Sequence, residues 1–290
     1  MESIIFLISI LVITNFFFIR NFDFLNKKYN LHDAPDEIRK KQVRPIPLLG
    51  GLLFLKNLII FYFYNYFFEA KSFFYSLGFV GEIKIFIFCT ASFFIFSVGF
   101  IDDKIKMKPL TKLILLSIIL YVVFTINPKI VINSLNFSFY KDHIDLFHIG
   151  IIFSILCALT YINALNMLDG INLMSAFYYL AIATVFFLYN FQISFTLTFI
   201  IFIISFMFLN YNGRAYLGDS GVYVISFILS LLIINLYEKN NLHVENIFLL
   251  MFLPAVDFFR LIITRVINKK HPFDGDENHF HHIVSKRFGN

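Results

Sequence analysis

Asp102 and Asp103 close an apolar run that begins at Ile85. Two neighbouring carboxylates at the mouth of a membrane-length segment are costly enough to suggest a functional site. On a helix their side chains point about 100° apart, so one could hold a metal ion while the other handles a proton or a second ligand. Taken alone, the pair could equally be a stop that greets water. Further polar clusters lie at matching ends of other apolar segments. Asn163, Asn166 and Asp169 recur every third residue and so stack along one helix face, with Asn172 extending the row if the turn continues past Gly170. Inside lipid such a stripe needs a polar partner or a wet cavity; interhelical hydrogen bonding explains the Asn residues but fits a carboxylate poorly. Asp219 has Gly218 and Gly221 on either side, which let the backbone approach a ligand closely. Tyr216 offers a face for stacking a base, although a plain glycine-rich turn would look similar.

Cations and imidazoles accompany these acids. Arg39, Lys40, Lys41 and Arg44 fall within six residues, a grouping that could grip phosphates or an anionic head group or simply anchor a cytoplasmic loop. Pro109 suits the first turn of a helix and places Lys112 one turn in, near the carboxylates, where it could neutralise a phosphate. Snorkelling is the rival use of Lys112 and the preferred one for Lys104, Lys106 and Lys108. His279, His281 and His282 lie close to Asp274 and Asp276. They suit phosphate recognition better than zinc, because two of the three imidazoles are adjacent. Asp257 and Arg260, three apart, are expected to pair with each other.

The elements that must position these groups are membrane spans. Of 290 residues, 59% are hydrophobic and only 15% charged, well short of the roughly 25% charged share of a soluble domain. Apolar segments near 3–19, 46–68, 83–101, 110–126, 149–167, 173–190, 193–211, 222–237 and 246–267 predict about nine transmembrane helices in one all-α polytopic bundle spanning 1–290. The segment from Ile4 to Phe18 lacks a preceding basic region and a small-residue cleavage site, so it is expected to stay as the first span. Cys89 and Cys157 lie inside spans and indicate no disulfide framework. Residues 127–148 alternate weakly and predict a short hairpin outside the membrane. Eighteen of the 24 Lys and Arg fall on one side of this layout and five on the other. The positive-inside rule makes the richer side cytoplasmic, and every cluster above is on it. The main rival from another class is an ion-coupled secondary transporter, but its site would lie near the bilayer midplane.

Five motifs in order carry a resemblance over residues 33–282. They are Asp33-x-Pro35 with Arg39-Lys40 and Gly50-Gly51; Gly99-x-x-Asp102-Asp103 with Lys112; Asn163-x-x-Asn166-x-x-Asp169-Gly170; Gly218-Asp219-x-Gly221; and His279-x-His281-His282. Together they resemble the polyprenyl-phosphate N-acetylhexosamine-1-phosphate transferases, and the form of the histidine motif resembles the UDP-N-acetylhexosamine branch.

The resemblance implies transfer of a sugar phosphate from a UDP-N-acetylhexosamine to undecaprenyl phosphate, with release of UMP. The setting it implies is the cytoplasmic face of a bacterial plasma membrane, at the start of a lipid-linked surface glycan. It implies Mg²⁺ as cofactor, with Mn²⁺ the alternative ion. Asp102 would activate the lipid phosphate, with Asp103 assisting it or the metal. Asp219 would be the leading metal ligand, with Asp169 beside the nucleotide or metal. Lys112, Arg39, Lys40, His279, His281 and His282 would hold phosphates, Asn166 would contact substrate and Tyr216 would stack uracil. No nucleic-acid partner is expected, and a homodimer is among the partner expectations. Three features depart from the pattern. Asn172 stands where Asp is common, and it is followed by Leu173-Met174 where Gly-Leu is common. Glu277 replaces a basic residue, and the family's further C-terminal span is absent up to Asn290, as expected either of a fragment or of a short member.

Overall fold

The computed structural model describes residues 2–33, 45–170, 172–240 and 242–267. Arg39, Lys40, His279, His281 and His282 lie outside the described residues. The rest is a helical bundle with two very small antiparallel strand pairs. In chain order the helices are α1 (Glu2–Arg20), α2 (Phe22–Tyr29), α3 (Gly50–Phe68), α4 (Ser72–Ser76), α5 (Glu82–Ile105), α6 (Pro109–Ile126), α7 (Gly150–Leu168), α8 (Met174–Leu188), α9 (Ile193–Tyr211), α10 (Gly218–Asn240), α11 (Val244–Leu250) and α12 (Phe252–Ile267). Among the described residues, seven are long and apolar enough to cross a membrane: α1, α3, α5, α6, α7, α9 and α10.

The all-α membrane architecture is as expected, and among the described residues seven of the expected nine spans are found. The segment 173–190 folds only as α8, whose 15 residues rise about 22 Å, short of a hydrocarbon core of about 30 Å. The segment 246–267 breaks at Met251 into α11 and α12. Pro254 accounts for the break: its ring crowds the carbonyl four residues back, at Leu250, and it has no N–H to continue the ladder. Pro109 sits at the first turn of α6 as the sequence predicts, where its missing N–H costs nothing.

Helix α10 is the central element, and every residue from Ser220 to Tyr237 is buried. An apolar helix buried all round belongs at the centre of a bundle. It packs most extensively against α5, then against α7 and α3. The outer helices turn residues such as Phe6, Phe63, Phe86, Phe93 and Ile118 outward, as lipid contact requires.

The predicted hairpin is present: β3 (Ser134–Leu135) pairs with β4 (Ile144–Asp145), Ser134 opposite Asp145. A second pair was not legible in the sequence: β1 (His32–Asp33) runs antiparallel to β2 (Ile46–Pro47). From β2 the Pro47 carbonyl accepts the amide of Tyr216, and the Tyr216 and Leu217 carbonyls accept the amides of Gly50 and Gly51 at 3.0 and 2.9 Å. The approach to α3 is thereby laced to the 212–217 loop that leads into α10.

Candidate active site

Asp102 and Asp103 sit on the last turn of α5 and face different neighbours, as adjacent helical positions must. Asp102 is 4% exposed. Its Oδ1 accepts the Met107 amide at 2.7 Å, and its Oδ2 accepts both the Lys112 ammonium at 2.9 Å and the Tyr223 hydroxyl at 3.0 Å. Lys112 thus reaches back from the first turn of α6 to the carboxylate, with Nζ 6.0 Å from the Tyr223 ring centroid. A carboxylate buried this deeply needs such partners.

Asp103 turns toward α10. Its Oδ1 accepts the Asp219 amide at 2.7 Å and its Oδ2 the Ser220 amide at 3.1 Å. The first amides of a helix lack intrahelical acceptors, so a carboxylate from one helix caps the start of another and meets the positive end of its dipole. Two glycines make the contact fit. Gly218 has φ +75°, and a Cβ there would lie 2.8 Å from Asp103 Oδ2. Gly99, one turn before Asp103, lets α5 approach so closely that a Cβ would lie 2.5 Å from the Asp219 carbonyl oxygen.

Asp219 therefore stands in the first turn of α10, and its carboxyl group is within hydrogen-bonding reach of Asp102. Two carboxylates that close repel each other unless a proton or cation lies between them. Asp169 follows the last residue of α7, and the Ser175 hydroxyl donates to its Oδ1. It lies near enough to Asp103 to feel that charge. Burial pushes Asp169 up to about 6, Asp103 adds to the rise and the Ser175 bond opposes it. Tyr216 is half-buried at the same edge. Its hydroxyl is raised above its usual range, first by burial and then by Asp33 and Asp169.

The sequence-predicted residues thus divide. Asp102, Asp103 and Asp219 form one contact network with Lys112; Asp169 and Tyr216 border it. Asn163 donates to the carbonyl of Leu159 in its own helix at 2.7 Å, satisfying itself locally. Asn166 is half-buried one turn before Asp169. Asp257 and Arg260 pair at 2.7 Å, as expected. Three supporting residues escaped the sequence reading. Tyr223 lies four residues after Asp219, a helical spacing that could have revealed it. Ser175 holds Asp169. Asn210 accepts the Leu173 amide at 2.6 Å and donates to the Ala215 carbonyl at 3.0 Å, tying the 169–173 turn to the 212–217 loop.

The donor chemistry suits a hard divalent cation. Four carboxylates gather here, and among the described residues one cation, Lys112, pairs with them. No three of the described His, Cys, Asp and Glu residues converge as a ready-made cage. A Mg²⁺ ion would need only one or two carboxylates here, its octahedron being completed by water and substrate phosphate.

Residues 85–237 match the profile of glycosyl transferase family 4. They include Asp102, Asp103, Lys112, Asp169, Tyr216 and Asp219, and the chain belongs to this family. Among curated proteins it is similar to the undecaprenyl-phosphate alpha-N-acetylglucosaminyl 1-phosphate transferases of Salmonella typhi and Salmonella typhimurium. Each is 24% identical over an alignment of 295 residues, covering 95% of this chain and 76% of the relative.

Proposed function

We propose that the protein transfers an N-acetylhexosamine-1-phosphate from a UDP-sugar to undecaprenyl phosphate, releasing UMP, at the cytoplasmic face of a bacterial plasma membrane. The observation that carries this reading is the meeting of Asp102, Asp103 and Asp219, from two helices far apart in sequence, with Lys112 and Asp169 at one end of the bundle. A donor from solution and an acceptor from the bilayer can meet only at such an edge. Membership of the family and the printed activity of the Salmonella relatives support the same reaction class.

In the proposed reaction a phosphate oxygen of the lipid forms a bond to the sugar-bearing phosphorus of the donor. The bond from that phosphorus to the oxygen of the UMP phosphate breaks, and UMP leaves with its electron pair. Phosphoryl transfer depends chiefly on positioning and on neutralising charge. Lys112, held by Asp102, keeps further N–H donors for the lipid phosphate. Asp102 stands beside it to accept a proton from that phosphate. Asp219 would hold Mg²⁺, which when bound offsets the charge of the donor diphosphate. Asp103 enters as the group that sets the first turn of α10, its oxygens accepting the Asp219 and Ser220 amides. Tyr216 offers its ring to the uracil, and Asp169 and Asn166 line the donor side.

Release of labelled UMP is the test, using a panel of UDP-sugars with undecaprenyl phosphate, with and without Mg²⁺. The proposal predicts release that requires the lipid, the metal and an N-acetylated donor. Solute uptake into vesicles with no UMP release would instead establish the transporter.

A further inference from the structure

Away from the carboxylates, a lysine lies inside the bilayer region with only neutral partners. Lys56 is on α3, six residues after Gly50. That places it about 9 Å along the helix from the end laced to the Tyr216 loop. Its ammonium donates to Thr14 Oγ1 at 3.1 Å and to Asn15 Oδ1, and Asn15 Nδ2 donates onward to Ser205 Oγ at 2.9 Å. Among the described residues no carboxylate pairs with it. Polar and charged groups at this depth are rare, and a charge there normally has a counter-ion or a wet path.

The same lysine lines a cavity of about 320 Å³ between α1, α2 and α3, whose other walls include Phe18, Leu25, Tyr29, Leu52 and Ile60. The walls are almost wholly apolar, with Lys56 and Tyr29 the lining residues that carry a polar group. The ammonium of the exposed Lys28 lies 5.8 Å from the ring centroid of its neighbour Tyr29. Short helix α2 is amphipathic and ends in Lys27 and Lys28. An apolar slot with a lysine among its lining residues matches one kind of occupant. It fits an acyl chain attached to a negatively charged head group, with the phosphate level at the edge of the bilayer.

We propose that the α1–α2–α3 cavity binds an anionic phospholipid from the leaflet on the carboxylate side, with Lys56 pairing to the head-group phosphate and the apolar walls holding part of an acyl chain. The site is separate from the proposed reaction and does not depend on it. The bound lipid supplies the counter-charge that Lys56 lacks and fills the slot between α1 and α3.

The proposal is tested by native mass spectrometry of the delipidated protein, presented with an equal mixture of phosphatidylglycerol and phosphatidylcholine. Wild type and Lys56→Arg should retain phosphatidylglycerol at least fivefold over phosphatidylcholine, and Lys56→Met should lose the preference. Leu25→Trp, which fills the slot and leaves the lysine in place, should lower retention of both lipids. It also keeps the test valid if Lys56→Met fails to fold. An unchanged preference in Lys56→Met, or unchanged retention in Leu25→Trp, overturns the proposal. So does displacement of the bound phospholipid by stoichiometric undecaprenyl phosphate, because the slot would then be the acceptor's path.

Discussion

The carboxylate of Asp103 accepts the backbone amides of Asp219 and Ser220 at 2.7 and 3.1 Å, so the last turn of α5 fixes the first turn of α10. The contact joins residues 116 positions apart. It places one acidic side chain by means of another, and it separates the two roles that adjacent aspartates can share. Asp102 faces a lysine and a hydroxyl, while Asp103 faces a helix end.

Removing that cap should weaken the fold and the reaction together. Asp103→Ala should lower unfolding stability by about 2 kcal/mol, the worth of two hydrogen bonds at a helix start. Asp103→Asn keeps one acceptor oxygen and should lose about half as much. Thermal unfolding of both variants in detergent gives the ranking. Equal stability of Asp103→Ala and wild type would remove the capping role.

Asp219→Asn tests the proposed metal ligand. The variant keeps the side-chain shape and the backbone amide that Asp103 accepts, so the fold should persist. UMP release should fall about 10² to 10³-fold, the usual size for loss of one group that stabilises developing charge. Undiminished Mg²⁺-dependent turnover would remove the assignment.

Gly99 is tested by its smallest substitution. In Gly99→Ala the new Cβ would lie 2.5 Å from the Asp219 carbonyl oxygen, so α5 and α10 must move apart. A displacement of about 1 Å at a reacting group can cost on the order of 10²-fold in rate, and overpacking costs about 1–3 kcal/mol in stability. Gly213→Asn is the comparison: φ there is +60°, nothing lies near the added Cβ, and Asn tolerates that conformation. It should behave like wild type in both assays.

Asp169 sets a pH dependence. Burial raises its carboxyl to about 6, above the ordinary value of about 4, so the folded protein binds this proton more tightly than the unfolded chain does. Its contribution to stability is therefore complete below pH about 4 and is lost as pH rises through about 6. The melting temperature of the ligand-free protein, compared with Asp169→Asn, should show that loss as a difference between the two curves. If the ionised form serves the donor site, wild-type UMP release should rise over the same range and level off above it. A constant difference between the curves would refute the assignment of the titration to Asp169.

Much of this arrangement could be read in advance, because lipid makes a strong demand on sequence. Long apolar runs had to be spans, and acids at their matching ends had to share an edge, which Asp102, Asp103, Asp169 and Asp219 do. Asp257 and Arg260 paired as their spacing required. Other features depend on packing that periodicity does not encode. Asn163 lies on the expected polar face yet bonds within its own helix, because a short amide can reach a carbonyl four residues back. The use of Asp103 for another helix's amides depends on how closely Gly99 lets two helices approach. The break at Met251 was signalled by Pro254 but is invisible to hydropathy alone. Pairing of β1 with β2 involves two residues a side, too few for any alternation to register.

Because α10 touches protein on every side, its greasy side chains never meet lipid in the finished molecule. Their apolarity makes the helix long and greasy enough to cross a bilayer, while in the bundle they pack among its neighbours. The helix bears Asp219 at one tip, so the packing that encloses it is also what brings that residue to the end of α5.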